Sequence, residues 1–182
     1  PYADLTAGSH LISMTVADEI GGECVANVIY TVGSAPSITI DQPTTASTFN
    51  EDEIITFSAT ILDIDDAPAD LQVSWVSDVD GEFSTAGPNS NGVAQFTYGA
   101  LSSGAHNIIV TATDPTGLYS DALLTLFING APSQPSVTIS PDPAFTNDDL
   151  TGSATGSVDP DGSGVSYTYE WYLNGALMTT GP

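Results

Sequence analysis

Not one lysine or arginine occurs in the 182 residues, against 23 aspartates and glutamates, so the formal charge at neutral pH is −23. Side-chain cations are limited to His10 and His106. Nucleic acids and anionic lipid surfaces are gripped through clusters of Lys and Arg, so both are excluded as partners of this surface. Self-repulsion of this size opposes the compact state unless salt screens it or bound cations neutralise it. A saline or calcium-containing medium supplies both, which predicts an extracellular or cell-surface setting.

Cysteine is almost as scarce. Cys24 stands alone, which excludes a disulfide within this stretch and predicts a small buried thiol. Long apolar runs are missing too: the longest, at 126–128 with Leu123 and Leu124 nearby, is far too short to cross a bilayer. No i, i+3, i+4, i+7 pattern is sustained, which argues against long amphipathic helices. Phosphate-cradling glycine loops and a G-x-S-x-G nucleophile elbow are absent. Ser, His and Asp are so plentiful that a triad picked from them has no specificity, and the chain is expected not to be an enzyme.

What is present is a repeat. LTAGSHLISMTVADEIGGECVANVIYTVGSAPS, starting at Leu5, aligns without a gap on LSSGAHNIIVTATDPTGLYSDALLTLFINGAPS, starting at Leu101, a period of 96 residues. The shift pairs His10 with His106, Asp18 with Asp114, Asp63 with Asp159, Asp65 with Asp161 and Trp75 with Trp171. Gly/Pro-bearing segments at 33–36 and 129–132 read as linkers. They divide the chain into residues 1–34, the last third of a unit; 35–130, a complete unit; and 131–182, the first half of a third.

Apolar residues make up 41% of the chain, punctuated by 17 Gly and 12 Pro, which suits short strands and turns. In the complete unit, period-two alternation predicts strands at 37–40, 54–62, 71–75, 92–98, 106–112 and 122–128. Asn174-Gly175, set between YTYEWYL and ALM, predicts a hairpin turn with positive φ at both central positions. Several short strands with a Trp on the third predict an all-β chain of tandem immunoglobulin-like antiparallel β-sandwiches.

The motifs WVSDVDG at 75–81, L-x-x-G-x-H-x-I, T-x-T-D-x-x-G and the closing strand before an Ala-Pro linker resemble tandem immunoglobulin-like modules of bacterial and archaeal surface proteins, close to the PKD and cadherin-like groups. The W-x-F-G-D-G signature of typical PKD modules is replaced here by Trp75-Val-Ser-Asp-Val-Asp-Gly81. The resemblance implies a stalk, adhesin or matrix component and no catalysis.

Strand parity sends Asp63, Asp65, Asp66, Asp70 and Asp114 to the end of the sandwich beside the linker at 34–36. Ca²⁺ takes six to eight oxygen ligands in tolerant geometry, and clustered carboxylates with linker carbonyls provide them. These five are the candidate Ca²⁺ ligands, although Asp is also a preferred turn former. Asp159 and Asp161 restate the first pair without counterparts of Asp66 and Asp70, and so predict a weaker site. His10 and His106 read as packed, hydrogen-bonded strand residues, since neither has metal-ligand company. Tyr167, Tyr169 and Trp171 share one face and read as core, leaving Tyr172 outward.

The expected function is a structural or adhesive repeat segment of a large extracellular surface, stalk or filament protein, stiffened by Ca²⁺ at its junctions. Its expected partners are neighbouring immunoglobulin-like modules of the same or another chain, and a cell-surface protein or glycan. The alternative is a carbohydrate- or protein-binding accessory module of a secreted enzyme or adhesin. The two partial units also suggest complementation between chains by strand addition.

Overall fold

The computed structural model describes residues 4–181, and the chain is all-β. β1 (Gly8–Ala17) and β2 (Glu23–Val32) form an antiparallel pair in register from Gly8↔Val32 to Ala17↔Glu23. The next eight strands build a two-layer sandwich. They are β3 (Ser37–Gln42), β4 (Ser47–Asn50), β5 (Ile55–Leu62), β6 (Gln72–Ser77), β7 (Gly81–Ser84), β8 (Val93–Tyr98), β9 (Gly104–Thr113) and β10 (Tyr119–Asn129). One layer has the order β3-β5-β8 and the other β4-β10-β9-β6-β7. A short 3-10 turn, Pro68–Asp70, leads into β6.

Alternation explains which side chains meet between the layers, because successive residues of a strand face opposite ways. Phe57, Ala59 and Ile61 from β5 face Val73 and Trp75 of β6, Ile108, Val110 and Ala112 of β9, and Leu124, Leu126 and Ile128 of β10; all are buried. Trp75 is fully buried, its ring edge-on to Phe57 at 6.0 Å and to Phe96 at 5.1 Å, and its indole N–H donates to the Ala86 carbonyl at 3.3 Å. An indole so placed satisfies its polar atom while filling the core.

Two short strands escaped the alternation. β4 pairs in parallel with β10, Leu126↔Ser47 to Asn129↔Asn50, a departure from the purely antiparallel sandwich expected. The chain crosses from one layer to the other between β3 and β4 without reversing, so β4 lies alongside β10 in the same direction. β7 is only four residues long and is broken by a register shift against β6.

The remaining strands form two antiparallel pairs, β11 (Ser136–Ser140) with β12 (Thr151–Thr155) and β13 (Tyr169–Leu173) with β14 (Ala176–Gly181). Asn174 and Gly175 turn the last hairpin at φ 49° and 83°, as that dipeptide predicts. Cys24 is exposed, which corrects the expectation of a buried thiol. The β1–β2 pair is a two-stranded sheet of its own, and Leu11, Met14, Val16 and Val25 are exposed along with the thiol.

Candidate metal centre

The acidic loop after β5 is shaped by its first aspartate. One oxygen of Asp63, Oδ1, accepts the backbone N–H groups of Asp65 (2.9 Å) and Asp66 (3.3 Å), a turn that Asp forms readily. The turn gathers carboxylate oxygens of Asp63, Asp65 and Asp66 within 4.8 Å of one another. The other oxygen of Asp63, Oδ2, is buried and has no hydrogen-bond partner among the described residues.

Asp114 arrives from the other layer, immediately after β9, and is 4% exposed. Its Oδ1 accepts the N–H of Thr116 (2.8 Å), the Thr116 hydroxyl (2.9 Å) and the N–H of Leu118 (2.9 Å), while Oδ2 is buried without a partner. Burial pushes this carboxyl up, and the hydrogen bonds from Thr116 and Leu118 outweigh it, leaving Asp114 below the ordinary carboxylate value. Asp66 moves the opposite way. Its own desolvation raises it, and the neighbouring charges of Asp65, Asp63, Asp114 and Asp70 raise it further.

Of the five expected ligands, three are brought together. Asp114 and Asp70 stand outside the triad, although the charges of both reach Asp66. Asp70 ends the 3-10 turn and is exposed there, so strand parity, which sent it to the same end, does not set its distance from the triad.

The segment between β2 and β3 closes on the same loop. Ser34 donates both its N–H (3.2 Å) and its hydroxyl (2.8 Å) to Oδ1 of Asp65, and the hydroxyl is the main reason Asp65 titrates below the usual carboxylate range. A side chain at Gly33 would lie 3.4 Å from both Asp65 and Leu118. The N–H of Asp161 likewise bonds Oδ1 of Asp159 (3.1 Å), and Oδ2 of Asp161 accepts the N–H of Gly130 (2.8 Å). The Ser163 hydroxyl foremost, with the Asp159 side chain and the Gly130 amide, holds the Asp161 carboxyl down at about 2. Position 162 is Gly, where Asp66 stands in the earlier loop.

These donors suit a hard divalent cation. Two oxygens each about 2.4 Å from one Ca²⁺ can be at most about 4.8 Å apart, which the triad satisfies. Buried carboxylate oxygens without donors are costly unless something positive faces them.

A second acidic cluster lies at the opposite end of β9, and sequence reasoning gave it no role. Asp78 takes the N–H and side-chain amide of Asn107 (2.8 and 2.7 Å), and Asp80 takes the N–H and hydroxyl of Ser102 (3.0 and 2.6 Å). The Nε2 atom of His106 faces the Ser102 carbonyl at 2.7 Å and so carries the proton. Its Nδ1 therefore accepts from the Ser77 hydroxyl at 2.8 Å. Ser77 and His106 are 2% and 1% exposed, a packed core pair. His10 repeats half of this arrangement, Nε2 to the Thr6 carbonyl at 2.7 Å.

The aromatic residues near the C-terminal end turn toward their own strands. The hydroxyls of Tyr169 and Tyr167 accept the N–H groups of Ala154 and Ser157, and Trp171 lies over Gly152, where an added Cβ would come within 3.2 Å of the ring. Tyr172 is exposed and donates to Glu170 at 2.6 Å.

No protein-family model matches the chain, and neither does any curated protein. Among solved structures it is similar to the fibronectin(III)-like modules of Clostridium thermocellum CbhA, with 19% identity and a TM-score of 0.41 over 50% of this chain and 94% of that one. It is also similar to domains 4 and 5 of the S-layer protein SbsC, with 13% identity and a TM-score of 0.35 over 68% of this chain and 66% of that one.

Proposed function

We propose that the chain is a structural repeat segment of an extracellular surface protein, and that Ca²⁺ binds where the linker meets the central sandwich. In this reading residues 35–130 are one complete module between parts of two others. The observation that carries it is the pairing of the Asp63–Asp65–Asp66 triad with two buried, unpartnered oxygens, Oδ2 of Asp63 and Oδ2 of Asp114.

The three carboxylates come from one loop, after β5 in one layer, while Asp114, after β9 in the other layer, stands outside the triad and adds its charge to the site. Backbone donors already hold one oxygen of Asp63 and one of Asp114, which fixes the carboxylates and leaves the second oxygen of each available. Ser34 ties Asp65 to the linker. A bound Ca²⁺ supplies the positive charge that this chain's own side chains lack.

Calorimetric titration with Ca²⁺ at low salt is expected to show one binding event, lost in Asp63→Ala. X-ray scattering is expected to show a more extended particle with Ca²⁺ than with chelator. Absence of heat, together with an unchanged melting temperature in millimolar Ca²⁺, would sink the metal reading.

A further inference from the structure

Two hydrogen bonds, one at each linker, are the same device used twice. Asp65 accepts from the N–H of Ser34, and Asp161 accepts from the N–H of Gly130. Each spans 31 residues, and the two sets of partners differ by the 96-residue period at both ends. In each case the accepting carboxylate is itself placed by the aspartate two residues earlier, through the bond from the Asp65 N–H to Asp63 and from the Asp161 N–H to Asp159.

The donors sit just beyond the last strand of the preceding unit: Ser34 follows β2 by two residues, and Gly130 follows β10 directly. At the second linker there is no spare room. A Cβ on Gly130 would come within 2.5 Å of Pro160 and 2.8 Å of Ser103, one from each side of the junction. The N–H of Ala131 is additionally directed at Glu51 of the central sandwich, at 3.4 Å.

We propose that the Asp-x-Asp pair is an orientation latch: its second carboxylate captures the amide leaving the previous unit's last strand and fixes the angle between successive units without any metal. The latch goes beyond the Ca²⁺ reading, because Asp161 makes the contact where the Asp66 position is Gly162. At the first junction Asp65 belongs to both devices; at the second the latch acts by itself.

The test is pulsed electron–electron distance measurement on the full chain in excess chelator. For the second junction, nitroxides are placed at Gln72→Cys and Thr138→Cys, two exposed strand positions, in a Cys24→Ser background. A narrow distance distribution is expected for the otherwise unaltered chain, at least twofold broader in Asp161→Ala, and largely restored in Asp161→Asn, which keeps a carbonyl acceptor. The first junction gives an independent arm, with labels on native Cys24 and Gln72→Cys, where Asp65→Ala is expected to broaden the distribution in the same way. A broad distribution in the unaltered chain overturns the latch, as does an equally narrow one in both alanine variants. A distribution that narrows only when Ca²⁺ is added overturns the latch while leaving the metal reading standing; narrow distances with no response to Ca²⁺ do the reverse.

Discussion

The two ends of the central sandwich are both acidic, and they differ in what meets the carboxylates. At the Asp78–Asp80 end, Asn107 and Ser102 supply a donor to each of the four oxygens. At the Asp63–Asp114 end, one oxygen of each aspartate is capped by backbone amides and the other is buried with nothing to receive. The sign of the charge is thus the same at both ends while satisfaction is not. A cluster whose hydrogen bonds close on themselves is architecture, whereas one that closes only halfway keeps buried oxygens for the cation proposed above.

Damage to the closed end should give the largest effect. His106→Ala empties a fully buried site and leaves the buried Ser77 hydroxyl without its acceptor, and a loss of about 2–4 kcal/mol is expected from the cavity and the unpaired group together. Calorimetry should show the same fall in melting temperature, roughly 10 °C or more, with Ca²⁺ or with chelator. A Ca²⁺-dependent fall would erase the contrast between the ends.

The open end should respond to metal next. With Ca²⁺ at about 100 times its dissociation constant the sandwich should gain about 2.7 kcal/mol, and this gain should vanish in Asp63→Ala. Asp66→Asn sharpens the point further. By relieving repulsion from Asp65, Asp63, Asp114 and Asp70 it should raise the melting temperature in chelator by a few degrees while abolishing the response to Ca²⁺. A lowered melting temperature in chelator would mean that Asp66 is not under the strain described. Asp78→Asn, at the closed end, should produce the smallest change, with no dependence on Ca²⁺.

Acidity should separate the same groups. The folded value of Asp66 is raised, so its contribution is fully present below the ordinary 3.8 and is lost as pH rises through the folded value. Asp65, Asp78, Asp80 and Asp114 are lowered, so their contributions are present above 3.8 and are lost as pH falls through their folded values. In chelator, melting temperature against pH should therefore decline on both sides of the ordinary carboxylate range. Added Ca²⁺ should remove the decline on the alkaline side only.

Much of the sandwich was legible because strand parity is a local signal. The row Phe57, Ala59, Ile61 and the row His106, Ile108, Val110, Ala112 could be written down from alternation, and they are buried as such rows should be. β4 was not legible: its four residues are held by β10, about 80 positions away, and no neighbouring pattern announces that pairing. Parity likewise sent Asp70 to the correct end of the sandwich, but the 3-10 turn governs where its carboxylate lies. Asp78 and Asp80 went unassigned because their partners, Asn107 and Ser102, are joined to them only through the β6–β9 pairing. In hindsight the recurring strand-start histidine was the available clue.

The parallel pairing of β4 with β10 also bears on how the sandwich takes tension. Tension between residues 33–36 and 129–132 reaches β4 through β3 and draws the start of β4 and the end of β10 in opposite directions, and parallel strands so loaded must slide rather than peel. The ladder from Ser47 to Asn50 is extended by the Ala46 N–H to the Thr125 carbonyl (2.8 Å) and the Glu51 N–H to the Asn129 carbonyl (2.9 Å). The Thr45 and Thr125 hydroxyls, 2.8 Å apart, reinforce one end. All these bonds share the load at once, so a four-residue strand that escaped sequence reading forms a seam that resists tension by shear.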